Sequence, residues 1–252
     1  MKSFSISLGA LLVYLVIALL FPWLWFQGMR LKKVVLRLPT PDDEPFGLVP
    51  GEGKQIKVFG LGESPMAGFG IPAYSKTLTG LTAVRMKELL GRSVRWKVLA
   101  DNGLTLKSMN ARIEEQPKPE ADAVFVGIGG NDVFELTPPW IWTKELRRCV
   151  KLLNPEAGKP LVFFSPVPPV GRFPAISNPL RLAFGCWEFL LQLSLAQVIN
   201  STDDAKLLEE RFPDGDAFFL EDGVHPSPLA YQLWAEALAR KTVKLLCTDK
   251  NE

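Results

Sequence analysis

The 252-residue sequence holds a single histidine, His225, three residues after an aspartate in Asp222-Gly223-Val224-His225-Pro226-Ser227. In a loop punctuated by Gly and Pro, that spacing lets the carboxylate turn onto the imidazole. The carboxylate then fixes the tautomer and stabilises the imidazolium that forms during proton transfer. Such a base suits a serine hydroxyl, which is a poor nucleophile near neutral pH without one. An imidazole base also predicts activity that drops below roughly pH 6–6.5 as the ring protonates. One histidine cannot build a His-rich metal site. Cys149, Cys186 and Cys247 are far apart with no CxxC pair, so neither a zinc site nor a disulfide framework is indicated.

The elements that would position these residues read as strands alternating with helices. Candidate strands are Ile56–Leu61, Val94–Leu99, Ala123–Ile128, Leu161–Phe164 and Ala217–Leu220. Candidate helices are Leu78–Leu90, stopped by Gly91, then Lys107–Glu115, Thr143–Leu153 and Leu180–Ile199. A last helix, Pro228–Leu246, has Ser227 as N-cap and Pro228 at its first position. The pattern predicts an α/β fold, a parallel central sheet with helices on both faces. Ligands of such sheets bind beyond the carboxyl ends of the strands. The glycine-flanked segments 60–68, 101–105 and 129–132 would share that edge. They offer a hydroxyl at Ser64, backbone N–H groups and the side-chain amide of Asn131. Singly, each residue has a plain structural reading. Ser64 could cap a helix beginning at Pro65, Asn131-Asp132 could be an ordinary turn, and His225 could be a surface histidine.

Taken together, four blocks resemble the SGNH, or GDSL-like, hydrolases over roughly residues 55–247. These are Gly62-Glu63-Ser64, a glycine after the second strand, Gly-x-Asn-Asp at Gly129 to Asp132, and Asp-x-x-His at Asp222 to His225. The resemblance implies a flavodoxin-like three-layer α/β/α fold and cleavage of carboxylic esters without metal or organic cofactor. It implies Ser64 as nucleophile, His225 as general base and Asp222 as the residue orienting it. It also implies an oxyanion hole from the Ser64 N–H, a block-two amide and the Asn131 side chain, where each donor is worth roughly 10²–10³ in rate. Two departures stand out. Gly-Glu-Ser replaces the common Gly-Asp-Ser, and Leu106 stands where a second block-two glycine is frequent. Gly103 is therefore the nearest match, with the Leu106 amide as alternative donor. Met66 breaks the Gly-x-Ser-x-Gly elbow of the α/β-hydrolases, whose Ser, Asp and His also follow a different placement along the chain. Phe173, Phe184 and Trp187 could wall a substrate pocket or pack a core; Trp140 and Trp142 read as packing residues.

The N-terminus is different in kind. Ser3 to Met29 carries no charge over 27 residues, ends in Trp23, Trp25 and Phe26, and is followed by Arg30, Lys32, Lys33 and Arg37. Its length and flanks predict a transmembrane helix, retained rather than cleaved, over residues 1–29. Residues 30–54 then form a basic flank and Pro/Gly-rich linker, and 55–252 the hydrolase domain. The charge flanks favour a cytoplasmic body behind a single span, with an extracytoplasmic or secreted body as the alternative. Residues 41–252 hold 24 basic and 27 acidic residues, which argues against nucleic acid as a partner. The leading functional reading is a membrane-anchored esterase or lipase-like hydrolase of small-molecule or lipid esters. The alternatives are an O-acyltransferase or deacetylase of cell-envelope carbohydrate, and a non-catalytic tethered binding module.

Overall fold

A computed structural model describes residues 2–34, 38–116, 120–154, 160–210 and 215–248. Arg37 of the expected basic flank lies outside the described residues, as do the side chains of Lys2, Lys32 and Lys33.

Six strands make one sheet: β1 (Phe46–Val49), β2 (Glu52–Gly62), β3 (Arg92–Ala100), β4 (Ala123–Gly127), β5 (Leu161–Phe164) and β6 (Lys206–Leu207), in spatial order β1-β3-β2-β4-β5-β6. The Ala-Val-Phe-Val-Gly run of β4 is buried along its whole length, as a central strand covered on both faces requires. Alternate residues feed two cores. Phe59, Leu61, Val124, Val126, Val162 and Phe164 point to one face, and Val58, Phe125 and Phe163 to the other.

Two expectations need correction. The sheet is mixed, because β1 arises inside the expected linker and pairs antiparallel with β3; the other strands are parallel. Ala217–Leu220 is not a strand, and the last strand is β6 instead. The backbone of that segment is taken up by the loop it faces. Leu220 N–H donates to His225 O (2.8 Å) and Ser227 N–H to Phe218 O (2.9 Å).

Helices α4 (Leu78–Leu90) and α9 (Pro228–Thr248) cover one face of the sheet. Helices α5 (Leu106–Glu115), α7 (Pro139–Leu153) and α8 (Leu180–Ile199) cover the other. Short helices α3 (Ser64–Ala67) and α6 (Gly130–Phe134) begin in the loops after β2 and β4.

The uncharged N-terminal run forms two helices, α1 (Lys2–Leu19) and α2 (Phe21–Val34), whose apolar portions meet at 84°. Pro22 has no N–H to continue the ladder, so the helix breaks just before it. Hydrogen bonding resumes with Trp23 and Leu24, whose N–H groups both donate to Leu20 O. One face of α1 packs against the domain. Ala10 is buried, Ile6, Val13, Tyr14 and Ile17 lie on the α7–α8 core, and Tyr14 Oη donates to Leu136 O (2.8 Å). By length and composition alone, α8 could cross a membrane, as could the bent pair taken as one span. The single straight N-terminal helix of the sequence reading does not form.

Candidate active site

The two central strands bring the first and third blocks together. Gly62 pairs with Gly127 across β2 and β4, at φ +150°, and a Cβ on Gly62 would lie 1.9 Å from Gly127 O. Only glycine fits this approach. Met66 explains the broken elbow motif. It is buried, and its side chain occupies the space where Cβ atoms of Gly62 and Gly127 would stand.

Glu63 and Ser64 follow at the strand end. Ser64 opens α3 rather than capping it, and its Oγ has no intramolecular hydrogen bond among the described residues. The turn is held from outside, because Tyr231 Oη on α9 donates to Pro65 O (2.7 Å).

Glu63 points inward and is almost wholly buried. Its Oε1 accepts from Gly130 N–H (2.7 Å), and its Oε2 accepts from the Asn131 N–H (2.9 Å) and Asn131 Nδ2 (2.6 Å). Burial pushes this carboxyl up to about 7 against the pull of those donors, and the nearby Asp132 charge adds to the rise. The second Nδ2 hydrogen of Asn131 goes to Leu104 O (3.2 Å). Asn131 is therefore oriented by Glu63 and tied to the block-two loop.

Asp132 makes a second tie. Its Oδ2 accepts from Leu106 N–H (2.9 Å) and its Oδ1 from Thr137 Oγ1 (3.0 Å). Burial raises its carboxyl to about 6 despite these bonds. The Leu106 amide is thus already engaged. Among the described residues the Gly103 N–H has no intramolecular partner, and Gly103 is exposed.

The fourth block lies on the same edge. Asp222 Oδ1 accepts from the Val224 and His225 N–H groups (3.0 Å each), and its Oδ2 meets His225 Nδ1 at 2.5 Å. Burial would raise the Asp222 carboxyl, but the His225 side chain and the two N–H donors outweigh it. The carboxyl is held below its ordinary range. The loop is pinned at Gly223, φ +65°, whose O accepts from Ala175 N–H and where a Cβ would fall 2.7 Å from Ala175 N. Phe69 links the two halves. Its N–H donates to Ser64 O, and its ring stacks on His225 at 5.5 Å between centroids.

Ser64, Asn131, Asp222 and His225 are therefore brought to one sheet edge, with Gly103 on the adjoining loop. Among the described residues no hydrogen bond joins Ser64 Oγ to His225. The expected pocket aromatics divide. Trp187 is fully buried, with Nε1 donating to Thr137 O and its ring 4.5 Å from that of Tyr14, so it packs the core. Phe173 and Phe184 join Phe134 and Phe219 in an aromatic cluster. Trp142 is buried as expected, whereas Trp140 is exposed.

The sequence reading missed Glu63 and Asp132 as organising groups, along with Phe69 and Tyr231. The available signal was a carboxylate placed directly after a buried strand. Two consequences can be measured. Glu63→Gln presents an NH₂ where two acceptor oxygens are needed, so kcat should fall by roughly 10²–10³ with little change in KM, and Glu63→Asp should recover part of it. An unchanged kcat would remove Glu63 from the site. The second concerns stability. Glu63 and Asp132 hold protons more tightly folded than unfolded, at about 7 and about 6 against 4.5 and 3.8. Their contribution is complete at low pH, where both states are protonated. It is lost as pH rises through the folded values, because the unfolded chain ionises first. Asp222 acts oppositely and loses its contribution as pH falls below its ordinary 3.8. Denaturant midpoints should therefore decline between about pH 5 and 7, less steeply in Glu63→Gln. A rising midpoint would contradict this.

The GDSL-like Lipase/Acylhydrolase family model matches residues 61–233. A comparison with curated proteins finds no match. Among solved structures, a lipase/acylhydrolase from Enterococcus faecalis aligns at TM-score 0.57 and 20% identity, covering 75% of this chain and 96% of that one. The lipase Lip_vut3 from a goat rumen metagenome aligns at 0.55 and 19%, covering 74% and 97%. The psychrotrophic esterase EstA from Pseudoalteromonas sp. aligns at 0.55 and 16%, covering 76% and 98%. The chain belongs to the GDSL-like lipase/acylhydrolase family. It is an ester-hydrolysing enzyme of the esterase/lipase type.

Proposed function

We propose that the chain hydrolyses carboxylic esters through an acyl-enzyme on Ser64, with His225 as base and Asp222 as its orienting partner. The observation that carries this is the buried Asp222 carboxylate on His225 Nδ1, at the sheet edge that also presents an unengaged Ser64 hydroxyl. With Nδ1–H donated to Asp222, Nε2 is free to accept the Ser64 proton as Oγ attacks the carbonyl carbon. The oxyanion takes hydrogen bonds from the Ser64 and Gly103 N–H groups and from Asn131 Nδ2, where it replaces the long bond to Leu104 O. As the C–O bond breaks, His225 returns the proton to the leaving alcohol. Water then repeats the sequence, freeing the acid and restoring Ser64.

Phe134, Phe173, Phe184 and Phe219 form the apolar side of the acyl pocket. The N-terminal helices hold the enzyme at a membrane. That location suits an amphiphilic ester. A fluorophosphonate probe tests the chemistry. Covalent label on Ser64, competed by long-chain esters better than by short ones, is expected. Native protein that takes no label refutes the reading.

A further inference from the structure

Two apolar stripes lie side by side on the outside of this enzyme. On α1, Leu8, Leu11, Leu12, Leu15, Val16 and Leu19 are exposed, with the opposite face against the domain. On α8, Leu182, Cys186, Phe189 and Leu193 are exposed at spacings of four, three and four, a continuous helical stripe. The helices pack together, and between them runs an open groove of about 350 Å³ lined by Gly9, Val13, Arg181, Leu182, Phe189 and Leu190. A soluble surface rarely leaves so much contiguous apolar area uncovered.

Charge and aromatic placement identify what covers it. The first 41 residues carry five basic residues and no acidic one. Trp23, Trp25 and Arg30 are exposed on α2, and Arg181 at the groove has no carboxylate in ion-pair range among the described residues. Exposed indoles and a cation on a helix that adjoins an apolar face, in a segment rich in basic residues, suit an anionic bilayer surface. The packing also fixes the orientation. Gln27 on α2 donates to Asn178 O (2.7 Å) and accepts from Leu180 N–H (3.1 Å). The same loop reaches Gly223, beside Asp222, through Ala175.

We infer that α1, α2 and α8 together form a face that lies in the plane of an anionic membrane, bringing the active-site edge to headgroup level. This rests on the membrane reading above but replaces a single crossing helix with in-plane seating that includes α8. The α1 face that a span would turn to lipid on every side is occupied by the catalytic domain.

The native cysteines supply the test, since Cys186 lies in the α8 stripe and Cys247 is exposed on α9. Full-length protein is added to preformed vesicles of phosphatidylcholine, with or without about 30 mol% phosphatidylglycerol, and treated with a membrane-impermeant maleimide. The expected result is flotation that depends on phosphatidylglycerol, with Cys186 labelled at least roughly ten-fold more slowly than Cys247. Phe189→Glu with Leu193→Glu should abolish that protection. Flotation with both cysteines equally reactive overturns the in-plane face and leaves an N-terminal anchor standing. Flotation indifferent to phosphatidylglycerol overturns the anionic surface. No flotation with either lipid removes the membrane reading itself. Protection that disappears on raising the lipid-to-protein ratio identifies a second copy of the chain and overturns the proposal.

Discussion

Replacing Ser64 with alanine is expected to lower kcat on a soluble ester by about 10⁶-fold while leaving the folded protein intact. The side chain carries no hydrogen bond that packing depends on. The turn around it is held by others, with Tyr231 on Pro65 O and Glu63 on the block-three amides. The loss is therefore chemical, and thermal stability should stay within about 0.5 kcal/mol of the parent. Residual hydrolysis reflects only the oxyanion donors and substrate binding. Steady-state kinetics and fluorophosphonate labelling on the same preparation check this. A variant that keeps more than about a hundredth of the parental kcat would exclude Ser64 as the nucleophile.

Replacing His225 with alanine should cost about as much, because Ser and His act as one unit. The chain holds no second imidazole that could substitute. Asp222→Asn should cost less, about 10⁴-fold, since it permits the wrong tautomer without removing the base. The ordering of the two variants is the informative result. Removing His225 also leaves the Asp222 carboxylate without its imidazole and exposes the Phe69 ring that stacks there. Some stability loss accompanies the kinetic one, so kcat is compared on samples shown to be folded. If His225→Ala retained activity while Asp222→Asn lost it, the base would have to be another group.

The groups proposed for the chemistry could be picked out in the chain by residue type and local spacing alone. Asp222 and His225 are three residues apart, and one loop conformation joins them. The strand and helix order was legible for a similar reason. Leu78–Leu90, Leu161–Phe164 and Leu180–Ile199 have the bounds that periodicity and their Gly or Pro punctuation predict. Burial partners were not legible, since they depend on residues far apart in sequence. Whether Glu63 is a solvated variant or a buried acceptor depends on Gly130 and Asn131, which reach it only when β4 lies beside β2. Asp132 likewise takes up the Leu106 amide, while the Gly103 N–H has no intramolecular partner among the described residues.

The N-terminus shows the same division. Twenty-seven residues without charge determined that this segment would seek an apolar environment. The tertiary structure decided that part of that environment is the enzyme itself, because Pro22 breaks the helix and α8 offers α1 a complementary face. Composition sets how much apolar surface must leave water. Packing alone sets what covers it.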